Sequence, residues 1–170
     1  MPDTVTYTPI ATNTLSSSAA SVTFSSIPGT YKDLVAVIQH KPVVTVSGLM
    51  CQVGASTVIT AASYSVTSMY GNGSTASSSR DTARTNMSFS RNTGDDNSDF
   101  QFTTINFMNY ANTTTFKTAI SRLSNAAQEA EATVNLLRNT TNIDIITFFL
   151  SGTGLLFDTG STFTLYGIGA

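Results

Sequence analysis

Apolar and polar residues alternate with a period of two along most of this chain. In SVTFSSI, Val22 and Phe24 face one way and Thr23 and Ser25 the other, as in a strand with one buried face. DLVAVIQH (33–40) is apolar almost throughout and predicts a central strand covered on both faces. Pro28-Gly29 predicts a turn between them, with proline presetting φ and glycine accepting a positive φ at the next position. LMCQVG (49–54) and SYSVTSMY (63–70) predict two further strands. The stretch from about 71 to 85, within YGNGSTASSSRDTARTN, has glycine, serine and no apolar period, and predicts a long mobile loop. MSFSR returns as a strand before the acidic turn NTGDDNSD. FQFTTINFMNY and FKTAISRL then predict two more.

One segment sets composition against period. AAQEAEA (126–132) is rich in helix formers. However, Ala130, Ala132, Val134 and Leu136 alternate strictly with Glu129, Glu131, Thr133 and Asn135, which predicts a half-exposed strand, with a helical turn near Ala126. IDIITFFL and STFTLYGI complete the set, and the closing GSTFTLYGIGA is expected to pair into a sheet, since untied ends fray. Eight to ten short strands with turn signals between them predict an all-β fold, a single jelly-roll-like antiparallel β-sandwich. Residues 1–170 form one domain in this reading, with 1–13 as an N-terminal arm.

Composition narrows what such a body does. At 170 residues the chain can bury roughly 70% of its unfolded surface. Charged residues are 11%, against about 25% in ordinary domains, while hydrophobic residues reach 41%, so low charge does not mean disorder. Hydroxyls and amides wet the surface instead of ions. That suits a protein placed among many copies of itself, where like charges would repel. The formal net charge is −2 and the eight basic residues are scattered, so nucleic acid is excluded as the main ligand. A lone Cys51 rules out an intrachain disulfide, and in LMCQV it predicts a buried, inert thiol. MPDTVTYTPIATN has neither a basic start nor an apolar core, so no signal peptide is expected. No apolar run reaches the ~20 residues of a membrane helix. The product is expected to be made in a cytoplasm and to remain soluble.

Candidate chemistry is sparse. DTGS (158–161) resembles the turn of an aspartic protease, which needs two carboxylates sharing a proton. One copy is present, and the preferred reading is a turn in which Asp158 bonds its own backbone and Gly160 supplies conformational freedom. Asp95, Asn97 and Asp99 have the alternate spacing of a calcium loop but lack its glycine and distal glutamate, so a solvated acidic turn is preferred. His40, the only histidine, has no neighbours at metal-ligand spacing and reads as structural. The sequons at Asn72, Asn86, Asn112 and Asn139 follow from composition. Tyr64, Tyr70 and Tyr110 could stack on sugars or pack in a core. No catalytic, metal or cofactor site is assigned, and the protein is read as not an enzyme.

Three segments read together: YTPIATNTLSSSAASVTFSSIPGTYKDLVAV, INFMNYANTTTFKTAISRLSNAA and GSTFTLYGIGA. In its TL-SS-A-SVTFSSIP-TY-DL opening and GSTF-LYGI ending the chain resembles a family of small structural proteins of tailed bacteriophages, of the cyanophage type. NLLRNTTNID stands where that family carries a Gly-Leu-Trp-Arg-Ser segment. The resemblance implies a jelly-roll virion protein. An entry into strand within the first few residues, without a stalk, fits a capsid cement or decoration protein better than a fibre. Such a protein is expected as a homotrimer that clamps neighbouring capsomers of the major capsid protein. It would stabilise the lattice by binding only the assembled form, reinforced by multivalency. Candidate assembly contacts are the 71–85 loop and the arm, with Val5, Tyr7 and Ile10 as apolar anchors. The alternation of Val5 and Tyr7 equally fits an ordinary edge strand. The alternative function is a tail-associated (fibre or baseplate) module binding a receptor or host cell-surface glycan.

Overall fold

The computed structural model describes residues 6–45, 48–90, 98–125 and 128–169, and among them every regular element is a strand. The first half of the chain supplies β1 (Tyr7–Thr14), β2 (Ser21–Phe24), β3 (Asp33–His40), β4 (Leu49–Ala55), β5 (Thr57–Val58) and β6 (Tyr64–Gly71). Then follow β7 (Ala76–Arg84), β8 (Met87–Ser88), β9 (Gln101–Met108), β10 (Lys117–Asn125), β11 (Glu129–Leu137), β12 (Ile145–Leu150) and β13 (Thr162–Ile168). They form an antiparallel β-sandwich. The larger sheet has eight strands in the order β1-β13-β3-β9-β10-β11-β6-β7; the smaller runs β2-β12-β4-β5, with β8 also paired to β4. The closing strand does not lie at an edge: β13 sits between β1 and β3, with an unbroken register to β3 and one shift, between Pro9 and Ala11, to β1.

Alternation builds the core as expected. Val22 and Phe24 from the small sheet, with Leu49, Cys51, Val53, Ile146 and Phe148, meet Leu34, Ala36, Ile38, Ile105, Phe107, Phe163 and Leu165 of the large one. Phe148 and Phe163 touch across the layers at 5.9 Å between centroids, and Phe157 stands edge-on to Phe163 at 4.9 Å. The many threonines pair across strands: Thr12 with Thr164, Thr14 with Thr162, and Thr23 with Thr147, at 3.0–3.2 Å. Cross-strand hydroxyl pairs of this kind allow a low-charge surface to remain ordered.

Four expectations change. The 71–85 segment is not a long loop; after a turn at Asn72–Thr75 it becomes β7, paired along β6 from Gly71↔Ala76 to Tyr64↔Arg84. Both of its faces are exposed, so no apolar period marks it. The turn itself is closed by Asn72, whose Oδ1 accepts from the Ser74 and Thr75 N–H groups, with Gly73 at φ +85°. Secondly, β3 is covered on one face and only partly on the other: Leu34, Ala36, Ile38 and His40 point inward, whereas Val37 is exposed. Thirdly, the turn before β3 places its positive φ on Ser26 (56°) rather than on Gly29. Lastly, residues 7–13 of the expected arm lie in strand β1, hydrogen-bonded to β13, which is the edge-strand alternative for this segment. The helical turn expected near Ala126 falls outside the described residues.

β11 is a strand, but the phase of its alternation is inverted. Ala130, Ala132 and Val134 point outward, while Glu131, Thr133 and Asn135 are buried between the layers. Polar groups buried this way need partners. Thr133 bonds Ser121 at 2.6 Å, and Asn135 donates from Nδ2 to the Ser88 carbonyl while its Oδ1 accepts from the Ser88 N–H, both at 2.9 Å. An amide side chain thus extends the backbone ladder of β8 onto the large sheet.

Burial also sets how stability responds to alkali. Desolvation pushes the Cys51 thiol well above its usual range, and the Tyr64 hydroxyl likewise, against a weaker lowering by its hydrogen bond with Val53. The unfolded chain releases these protons at about pH 8.5 and 10, while the folded chain still holds them. Their stabilisation is therefore intact below pH 8.5 and is lost as pH rises, at about 1.4 kcal/mol per pH unit for each fully shifted group. Lys117 opposes this, since burial lowers its pKa and folding gains as pH rises toward the unfolded lysine value. With Tyr110, whose hydroxyl pKa is also raised by burial, three groups oppose one above pH 10, which gives a urea midpoint that falls between pH 10 and 11 and falls less in Tyr64→Phe. A flat or rising midpoint would contradict this assignment.

Candidate interaction surface

The outer face of the eight-stranded sheet collects what an ordinary solvent-facing sheet lacks. Tyr7, Val37, Met69, Phe102, Met108, Ile120 and Val134 are each 40–65% exposed. Registry brings them onto one side. Ile120 stands opposite Val134 and Asn106, Asn106 opposite Val35, and Val35 opposite Tyr166. The next row holds Met69, Ala132, Arg122, Thr104 and Val37. Tyr7 and Tyr166 pack edge to face at 6.1 Å. A trough of about 440 Å³ crosses the centre, floored by Val35 and walled by Tyr7, Ile120 and Arg122. Beside it a second hollow of about 280 Å³ reaches Asp33 and Met108. Arg122 stands in the middle of this field and Asp33 at one end. A monomer rarely shows so broad an apolar patch without a use for it.

The sheet's two edges are guarded. β1 carries Pro9 and a register break between Pro9 and Ala11; β7 carries Arg80, Asp81 and Arg84 and a register break opposite Tyr64/Val66. Proline, charge and bulges are the devices that stop strand-to-strand addition. The exposed apolar surface is therefore the face, and strand addition at either edge is discouraged.

Of the three expected anchors, Tyr7 lies on this face, Ile10 sits half-buried against the core at the bulge, and Val5 falls outside the described residues. Sequence reading missed the rest of the surface. Its signal was present in β9–β11, where apolar residues occur in both phases of the alternation, as strands covered on two sides require.

The other candidates resolve into structure. Asp158 is ion-paired to Lys41 at 3.0 Å, accepts from the Thr159 N–H at 2.8 Å, and lies in a turn with Gly160 at φ +86°. The Lys41 hydrogen bond, then that of Thr159, holds its carboxyl below the usual range, the opposite of the raised partner in a proton-sharing pair. His40 is buried edge-on to Phe157 at 5.7 Å. Asp99 is exposed, and Asp95 and Asn97 lie outside the described residues. Among the described residues no cluster of three or more His, Cys, Asp or Glu could hold a metal. Asn72, Asn112 and Asn139 each cap the N–H two residues ahead, which gives the N-x-S/T spacing a turn-forming role. Tyr64 and Tyr110 are not available to stack on a sugar. Both are buried, the first bonded to the Val53 and Ile59 carbonyls and the second to that of Pro28; Tyr70 is half-buried.

A cleft of about 360 Å³ opens between the layers beside β7, lined by Ser68, Ser79, Ser88 and Arg84. Several of its polar groups are engaged with one another: Ser68 with Ser79, Ser88 with the Ser90 carbonyl, and Arg84 with Asp81 and Asn86. The outer face remains the better candidate. No protein-family model matches the chain, and no curated protein matches it either.

Proposed function

We propose that this chain is a structural protein of a tailed-phage virion, acting as a cement or decoration protein that bridges capsomers of the major capsid protein. It is a non-catalytic binding protein, made in the host cytoplasm and incorporated into the particle. The observation that carries this reading is the outer face of the large sheet, a wide apolar surface with little charge between two guarded edges. A rigid sandwich that contributes adhesion needs no reactive group. Binding only the assembled shell stabilises that shell by the affinity difference between its states, and many footholds multiply the effect.

The test uses head shells of the encoding phage prepared without this protein. Added protein is expected to sediment with the shells to a saturating stoichiometry and to raise their thermal midpoint. Failure to bind shells, with label gathered at the tail tip or capture on a glycan array, would replace this reading by the tail-associated receptor- or glycan-binding one.

A further inference from the structure

The outer face has the size and the charge placement to recognise itself. Eight strands about 4.8 Å apart and about 26 Å long present on the order of 900 Å², against the roughly 800 Å² per partner of a standard stable interface. The face carries apolar side chains from Tyr7 on β1 to Met69 on β6, interleaved with Thr104, Asn106 and Thr118; of its charged residues Arg122 stands in the middle, Asp33 toward one end and Arg80 on the β7 edge. A guanidinium pressed into an apolar contact without a carboxylate would be costly. The face itself supplies one. Arg122 lies one strand and one row from Asn106 in one direction, since Ile120 pairs with Asn106 and Arg122 is the next outward residue on β10. Asp33 lies one strand and one row away in the opposite direction, since Val35 pairs with Asn106 and Asp33 precedes it on β3. Asn106 is therefore the midpoint between a positive and a negative group.

We infer that two copies of this chain pair face to face across a two-fold axis passing over Asn106, with Arg122 of each copy against Asp33 of the other. A two-fold contact uses the same patch twice, so one Arg and one Asp on one face provide two ion pairs. One Asp33 oxygen already accepts from the Asn109 N–H at 2.6 Å, and a carboxylate has a second oxygen to offer a guanidinium. Ile120 and Val134, opposed on neighbouring strands beside the axis, form the apolar centre. The inference does not rest on the virion reading, but both use the same face, so the free protein is expected as a dimer that opens where the shell offers that face a stronger partner. A trimer, which the family resemblance implies, would need a different contact.

Light scattering after gel filtration tests it on the full chain. The wild type is expected at twice the chain mass of 17.9 kDa. Ile120→Glu, at a site already exposed, is expected to run as a monomer with an unchanged unfolding midpoint. Arg122→Glu and Asp33→Lys are each expected to weaken pairing at least about 10-fold, since a close ion pair becomes a like-charge contact. Mixed together, these two variants are expected to regain the dimer, because a mixed pair restores both ion pairs at once. Should Asp33→Lys fail to fold, Asp33→Asn keeps the acceptor oxygen and is expected to weaken the wild-type dimer. A monomeric or trimeric wild type, an Ile120→Glu protein of unchanged mass, or charge variants that pair as wild type would each overturn the proposal. A monomer that binds shells would overturn the pairing alone; a dimer that ignores them would overturn the virion reading alone.

Discussion

Phe163→Ala is expected to lower the free energy of unfolding by about 4 kcal/mol. Phe163 is fully buried on β13, and its ring joins both layers, touching Phe148 of β12 at 5.9 Å and Phe157 at 4.9 Å. Removing it forfeits the transfer of a large side chain and leaves a cavity between two sheets whose registers prevent collapse. Because β13 lies between β1 and β3, loosening it also weakens the docking of the first strand. Urea unfolding by fluorescence and circular dichroism, giving one midpoint for both probes, measures the effect. A loss below about 2 kcal/mol would show that the layers close over the gap, contrary to this packing.

Asn135→Ala is expected to cost about 3 kcal/mol, an unusual amount for a polar residue on a strand. Asn135 has no exposure, and its amide serves the N–H and the C=O of Ser88 together, with a further contact to Thr133 at 3.1 Å. Truncation leaves two backbone groups without partners in a region largely closed to water. It also unties β8, which is joined to the small sheet by only two residue pairs, Met50↔Ser88 and Cys51↔Met87. Asn135→Asp keeps the size and the acceptor but sets a carboxylate against the Ser88 carbonyl, and is expected to be no better tolerated at pH 7. The discriminating readout is hydrogen exchange at Ser88. A protected Ser88 amide in the alanine variant would mean that the bridge is not what orders β8.

Much of this architecture is legible from residue order because a strand has only two faces. SVTF, DLVAVIQH, LMCQVG and STFTLYGI declare themselves by alternation or by continuous apolarity, and the structure places a strand on each. AAQEAEA shows the same logic overriding composition, since alternation outweighs the helical preference of alanine and glutamate in β11. What escapes is whatever depends on neighbours. ASSSRDTAR is β7 because β6 offers it a free edge, and a strand exposed on both sides leaves no pattern to read.

The candidate surface divides in the same way. Tyr7 could be picked out as a contact residue from its own alternation, whereas Phe102, Met108, Ile120, Val134 and Met69 come from four different strands, and registry alone gathers them. Alternation tells which residues of β11 share a side but not which side faces in. Hydrophobicity alone would turn Ala130, Ala132 and Val134 to the core. Instead Ser121 and Ser88 offer partners to Thr133 and Asn135, so the polar phase is buried and the apolar phase emerges. Local order along the chain thus determined that this protein is a stack of strands with most of their buried faces set by alternation. The facing layer decided the rest, because a side chain's burial depends on the partners waiting across the gap, and those are distant in sequence.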